Sequence, residues 1–156
     1  MSKPRFIPEG YNTITPYLIV NNATAAIEFY KKALGATLLF KMDGHHGKVA
    51  HAEMKIGNSI FMLADEHPER GYKSPTHYSG TPVGFMIYVE DVDHVASEAT
   101  KNGMTVKSAV QTQFYGDRSG SFEDPFGHSW TIATHVEDVS PEELKKRSEK
   151  LHGDCC

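Results

Sequence analysis

The sequence predicts an α+β fold built from two copies of one small module, and three observations point there. The chain echoes itself at half its length. Ile14–Gly35 reads strand, Asn-Asn, helix, glycine; Phe85–Gly103 reads strand, Glu-Asp, helix, glycine, with Val20 to Gly35 and Val89 to Gly103 at nearly the same spacing. Each copy is followed by further short segments rich in β-formers. Finally, 39% of the 156 residues are apolar, enough for the core of about one domain. Two modules packed together share a cleft, and a cleft is where a ligand is expected.

Residues 1–12 are expected to form an N-terminal arm. Thr13–Val20 follows as a strand whose Pro16 suits an edge position. Asn22 is placed to cap the next helix, on which Ala26 or Ile27, Tyr30 and Leu34 recur at helical spacing, and Gly35 ends it. Thr37–Met42 reads as a short strand and Asp43–Lys48 as a loop. Val49–Ile56 alternates, Gly57-Asn58 turns, and Ser59–Ala64 is a strand again. The polar segment 66–82, with its prolines and glycines, links this module (13–65) to the second (83–136). There Phe85–Val89 opens the strand set, and Asp91 caps a helix with Val92, Val95, Ala96 and Ala99 on one face. Thr105–Gln113, Gly120–Glu123 and Ser129–Thr134 read as strands, the last entered through the turn Asp124-Pro125-Phe126-Gly127. Ser140-Pro141-Glu142-Glu143 then starts a charged helix within the tail 137–156.

The formal net charge of -4 gives no general attraction to nucleic acid or to an acidic membrane. No run approaches the roughly 20 apolar residues of a bilayer span, and Met1–Gly10 is polar, unlike a secretory signal. The only cysteines, Cys155 and Cys156, stand at the extreme end, beside His152, where they cannot staple the body of the fold. A cytoplasmic setting is expected.

For chemistry, Glu53 stands out. An unbroken strand carries Val49, His51, Glu53 and Lys55 on one face and Ala50, Ala52, Met54 and Ile56 on the other. The polar face either meets water or lines the cleft, where Glu53 would serve as a general base if burial raised its pKa. His51 and Glu53 are suitable ligands for a borderline divalent ion, but two are too few for a tight site. The other histidines, including His45-His46, His128 and His135, are scattered. Phe114-Tyr115-Gly116-Asp117-Arg118 offers Tyr115 for stacking and Arg118 for a carboxylate or phosphate, or else an Asp117–Arg118 pair bracing a turn. Trp130, the sole tryptophan, shares a strand with Ile132 and serves either core or dimer packing or ligand stacking.

Ile14-Thr15-Pro16-Tyr17-Leu18-Ile19-Val20, Ala26-Ile27-Glu28-Phe29-Tyr30, Leu34-Gly35, His51-Ala52-Glu53 and Asp124-Pro125-Phe126-Gly127-His128-Ser129-Trp130 together resemble the vicinal oxygen chelate superfamily, and within it the PhnB-like proteins. This is the glyoxalase, bleomycin-resistance and extradiol-dioxygenase group. The resemblance spans residues 12 to 136. It implies a single glyoxalase/bleomycin resistance-like domain over 13–136, two βαβββ modules forming a cupped mixed sheet, and a homodimer. In metal-dependent members the ligand positions would fall on Thr15, Glu53, Gly84 and Thr131. Of these only Glu53 is a strong ligand. Strand parity in such a cup sets Thr15, Tyr17 and Ile19, with Gly84, Met86 and Tyr88, opposite His51, Glu53, Ser129 and Thr131.

The reading that follows is a small-molecule-binding protein without a catalytic metal or other cofactor. Its ligand would meet Thr15, Tyr17, His51, Glu53, Tyr88, Tyr115, Arg118, Trp130 and Thr131. If a divalent metal binds, Glu53 and His51 hold it. Two other readings stay open: a metal-dependent lyase, isomerase or dioxygenase of the same superfamily, and a non-catalytic dimeric interaction protein. Whether the chain is an enzyme is left open by its residues, since one fold hosts unrelated chemistries.

Overall fold

Alternating side chains sort each module into a helix-covered face and an open face. In the computed structural model, which describes residues 4–153, the first module runs β1 (Tyr17–Val20), α1 (Ala23–Leu34), β2 (Thr37–Asp43), β3 (Val49–Ile56) and β4 (Ser59–Asp65). The second runs β5 (Gly84–Tyr88), α2 (Val92–Lys101), β6 (Thr105–Thr112), β7 (Asp117–Glu123) and β8 (Ser129–His135), and α3 (Pro141–Gly153) follows. Cys155, Cys156 and the side chain of His152 lie outside the described residues. Among the described residues there are two four-stranded sheets, ordered β1-β4-β3-β2 and β5-β8-β7-β6, so each module is βαβββ. The first and last strands of each module pair in parallel and the other neighbours antiparallel. The crossover helix of each module makes that parallel pair reachable. Within one chain the two sheets are hydrogen-bonded separately, with β1 and β5 as edge strands.

The helix ends follow local chemistry. The Asn22 side chain accepts from the Ala25 N–H, and the Asp91 side chain from the His94 N–H. Gly35 closes α1 with φ 64°, a left-handed conformation that favours glycine. A second tie repeats in both modules at the strand register where β4 and β8 meet the helix start. The Asp65 carboxylate accepts from the Ala23 N–H at 2.8 Å and the Val49 N–H at 2.7 Å. The Thr134 hydroxyl accepts from the Val92 N–H at 3.0 Å.

The modules share one apolar core. Leu18, Val20, Met54, Phe61 and Leu63 of the first sheet, the buried side of α1, and Phe122, Trp130 and Ile132 of the second sheet form a single cluster, with α1 packed on α2. Tyr30 sits at its centre, edge-on to Phe61 and Phe29 and close to Trp130. What fixes the alignment is polar. Buried Asp124 accepts from Tyr30 Oη at 2.6 Å and Trp130 Nε1 at 2.8 Å, and from the Phe126 and His128 N–H groups at 2.9 Å. Burial, then the Asp124 charge and hydrogen bond, hold the Tyr30 phenol well above its ordinary pKa, so it stays a donor. His128 adds a bond across the modules, Nε2 to the Ile19 carbonyl at 3.0 Å.

The linker carries its own polar contacts. Glu66 accepts from the Ser74 N–H at 3.0 Å and lies 3.1 Å from His77 Nε2. These bonds, Ser74 foremost, hold the Glu66 carboxyl below the usual range.

Replacing Tyr30 by Phe removes one hydrogen bond to a buried charge and should cost about 1.5–3 kcal/mol in urea unfolding. Asp124→Ala leaves donors from both modules unpaired and should cost more, about 3 kcal/mol or above. Equal, small losses for the two variants would contradict Asp124 as the tie between modules.

Candidate functional site

The open face of the first sheet gathers three of the residues singled out from sequence. Strand register sets one row across it: Tyr17, Met62, Glu53 and Phe40. His51 pairs with Met42 one row on. Tyr17 Oη and His51 Nδ1 are 3.0 Å apart, and His51 Nε2 is 3.3 Å from Glu53 Oε1. The result is a hydrogen-bonded chain of phenol, imidazole and carboxylate. Tyr17 and Phe40, both 49% exposed, flank the His51 ring at centroid distances of 5.6 and 6.3 Å. His51 and Glu53 are themselves partly buried.

A bulge makes this arrangement possible and corrects the simple alternation. Between Met42/His51 and Asp43/Val49 the register slips. Val49 therefore turns into the core, with Ala52 and Met54, instead of sharing the face of His51 and Glu53. Bulges re-aim side chains in this way.

Tyr11 was not picked out by the sequence reading. It belongs to the segment preceding β1, and its phenol feels the Glu53 carboxylate. Burial first, and then the neighbouring Glu53, push its phenol up to about 12. No local pattern marks such a residue, because its partner is supplied by a strand far along the chain. Met42 and Met62 complete the apolar surround.

Beside this face a cleft of about 700 Å³ opens between the linker and the two edge strands. Tyr17, Ile19, Lys73, Tyr78, Phe85 and His128 wall it. Tyr17 is thus shared by the cleft and the hydrogen-bonded chain, while Glu53 and His51 lie outside the cleft wall. The volume falls in the range of small-molecule sites.

The remaining expected residues are dispersed. Thr15 precedes β1, half-buried, its hydroxyl donating to the Asn12 carbonyl. Thr131 and Tyr88 lie on the open face of the second sheet, where Tyr88 donates to Asp117 at 2.9 Å. Trp130 is buried in the core and bonded to Asp124, so it does not line the open face. Arg118 does not brace Asp117. It turns to the helix side and grips Asp93 of α2 through two bonds of 2.7 and 2.6 Å. Tyr115 packs edge-on against Phe114 in the β6–β7 turn.

Around Glu53, His51 is the one neighbouring side chain among the described residues that is bonded to it and could share an ion. Across the second sheet Thr131 pairs with Met86, and the corresponding position beside Tyr17 is Met62, not Glu53, which stands one strand further in. Glu53 is therefore not the counterpart of Thr131. Both His51 nitrogens are engaged by protein partners. Among the described residues no three His, Cys, Asp or Glu side chains converge to hold a metal.

Comparison with known proteins agrees with this architecture. The family model described as the Glyoxalase/Bleomycin resistance protein/Dioxygenase superfamily matches residues 10–132. An uncharacterized protein of Mycobacterium bovis is 40% identical over 135 residues, covering 85% of this chain and 89% of that protein. Among solved structures, TioX from Micromonospora sp. ML1 superposes with a TM-score of 0.63 at 19% identity, over 83% of this chain and all (100%) of that one. A Bacillus cereus PhnB protein, described as a putative 3-demethylubiquinone-9 3-methyltransferase, gives 0.60 at 18% identity over 79% and 99%. At these identities the structural matches show the fold alone.

Removing the Glu53 charge should lower the Tyr11 pKa, but only part of the way to its ordinary value of 10.0, since burial is the larger cause. Ring-carbon NMR titration of Tyr11 in wild type and Glu53→Gln checks this. An identical Tyr11 titration in both proteins would mean that the two groups do not interact.

Proposed function

Because the chain belongs to the Glyoxalase/Bleomycin resistance protein/Dioxygenase superfamily, we propose that it binds a small organic molecule on the open face of its first sheet, and that it does so without a catalytic metal. The observation that carries this reading is the Tyr17–His51–Glu53 chain set among exposed aromatic and methionine side chains beside a cleft of suitable size. Such a surface favours a planar ring, which stacks on Tyr17 or Phe40, joined to a hydrogen-bond donor or cationic group that Glu53 accepts. His51 passes hydrogen bonds between Tyr17 and Glu53 and so fixes the direction of the carboxylate. If a bound ligand presents an acidic proton, Glu53 is the group placed to take it and Tyr17 the group placed to exchange it through the imidazole. A ligand lacking such a proton is held and not turned over. Within the superfamily we place the chain nearest the PhnB-like proteins, on the motif residues from Ile14 to Trp130 that carry the resemblance.

We further propose that the working form is a homodimer in the cytoplasm. What supports the dimer is the unfinished state of each sheet within one chain: β1 and β5 are edge strands, and Tyr88 and Met86 beside the second edge are 62% and 46% exposed. Exposed apolar surface next to an open strand edge is a site for association.

A thermal-shift panel of planar aromatic amines, run with a chelator present, tests the binding reading. Compounds that stabilise the wild type should bind Glu53→Gln more weakly by about 1.5–3 kcal/mol, that is by about tenfold or more, with the fold unchanged by circular dichroism. Stabilisation that appears only after metal is restored would overturn the metal-free reading. Equal shifts in wild type and Glu53→Gln would remove Glu53 from the site.

A further inference from the structure

The second sheet carries its own phenol–carboxylate–imidazole cluster, in a different order and for a different purpose. Asp117, only 5% exposed, is its fixed centre. Oδ2 of Asp117 accepts from Tyr88 Oη at 2.9 Å, and Oδ1 lies 2.8 Å from His135 Nδ1. The other ring nitrogen, Nε2, lies 3.0 Å from Oδ1 of Asp138. Two carboxylates accept and neither donates, so both His135 nitrogens must carry protons: the arrangement is drawn around an imidazolium.

Asp138 is not part of the sheet. It is fully exposed and sits on the segment 136–140 that leads from β8 to α3. That segment crosses the β6–β7 turn at one point. The Val136 and Glu137 N–H groups both donate to the Gly116 carbonyl, at 2.9 and 3.0 Å. Gly116 has φ +100°, and a Cβ there would collide with the Glu137 carbonyl, so the approach is as close as backbone allows. Further along, Arg147 of α3 grips Glu137 through two bonds and also reaches Glu143 and the Phe114 carbonyl.

We propose that His135 is a proton-operated latch: its imidazolium ties the segment 136–140 across the end of the second sheet, and loss of the proton releases Asp138 and loosens that segment. The charged and titratable groups facing His135 are Asp117 of β7, Asp138 of the segment itself and, through Asp117, Tyr88 of β5; Glu137 is taken up by Arg147. Hydrogen bonds to Asp117 first and Asp138 second hold the His135 pKa above its ordinary 6.5. The sign follows. A histidine raised by its partners supports docking fully below its released pKa, and that support is lost as pH rises through the docked one. The latch is therefore closed at pH 6 and opens on the alkaline side of 6.5. Once open, neutral His135 offers an unpaired Nε2 beside Tyr88, on the sheet face that carries Thr131. The second module then presents a hydrogen-bond acceptor that is masked at lower pH. This inference concerns the second sheet and stands whether or not the first sheet binds a ligand.

NMR of the full chain tests it, following the His135 ring signals and the hydrogen-exchange protection factors of the Val136 and Glu137 amides between pH 6 and 9. In the wild type, protection should fall as His135 loses its proton, by about tenfold for each pH unit separating its docked and released pKa values. Asp138→Asn should move the His135 pKa down and leave the two amides weakly protected at every pH. His135→Gln, which cannot carry the charge, should show weak protection even at pH 6. A His135 titration unchanged by Asp138→Asn would overturn the latch. So would amide protection that is flat from pH 6 to 9 in the wild type, or that stays high in His135→Gln.

Discussion

The carboxylate of Asp124 is the constraint on which the arrangement of the two modules rests. It is buried at the turn into β8, and it takes hydrogen bonds from its own turn and from Trp130 in one module and Tyr30 in the other. A buried charge is tolerated only where its acceptor sites are filled. Here that requirement can be met only if α1 and the β7–β8 turn come together at one height. The aromatic cluster of Tyr30, Phe61, Phe126 and Trp130 supplies the bulk of the contact, and apolar contact alone is non-directional. Asp124 supplies the direction. Because the helices and the inner sheet faces are used up in this junction, both open faces are left turned outward, and it is on these that the polar chemistry of the molecule is found.

The two open faces are built from the same three side-chain types with opposite logic. On the first, the imidazole stands in the middle, between Tyr17 and Glu53, so the carboxylate is at the end of the chain. On the second, the carboxylate stands in the middle, buried, and the imidazole is at the end. Position in the chain of hydrogen bonds decides which group is available. The first face offers an acceptor, and the second offers a cation already claimed by the molecule's own Asp138. The modules are thus repeats in backbone, down to the matched ties of Asp65 and Thr134 onto the helix starts, and not repeats in chemistry.

Much of the backbone was legible in the sequence because its causes are local. Asn22, Asp91 and Gly35 act within a turn of where they stand, and Asp-Pro-Phe-Gly bends the chain whatever surrounds it. The pairing of His51 with Glu53 was legible for the same reason, since alternate residues of a strand share a face. What was not legible depends on distant partners. The bulge that drives Val49 into the core arises from register between strands, and the Val49 N–H finds its partner in Asp65. Arg118 and Asp117 are neighbours in sequence and sit on opposite faces of β7, so the arginine is claimed by α2 instead. Tyr11 reaches Glu53 from the segment ahead of the first strand, where nothing nearby announces it. The placement of Glu53 against the superfamily's ligand positions also needed the strand register, which shows Met62 where a fourth-strand ligand would stand.

The central proposal is that Glu53 works as an organic hydrogen-bond acceptor and not as the anchor of an ion, because beside it stand a histidine already bonded at both nitrogens, Phe40 and Met62. Crystals grown with excess manganese and measured for anomalous scattering test that claim most directly. The account predicts no ordered ion within coordination distance of Glu53. A well-occupied peak there with three or more protein ligands would contradict it.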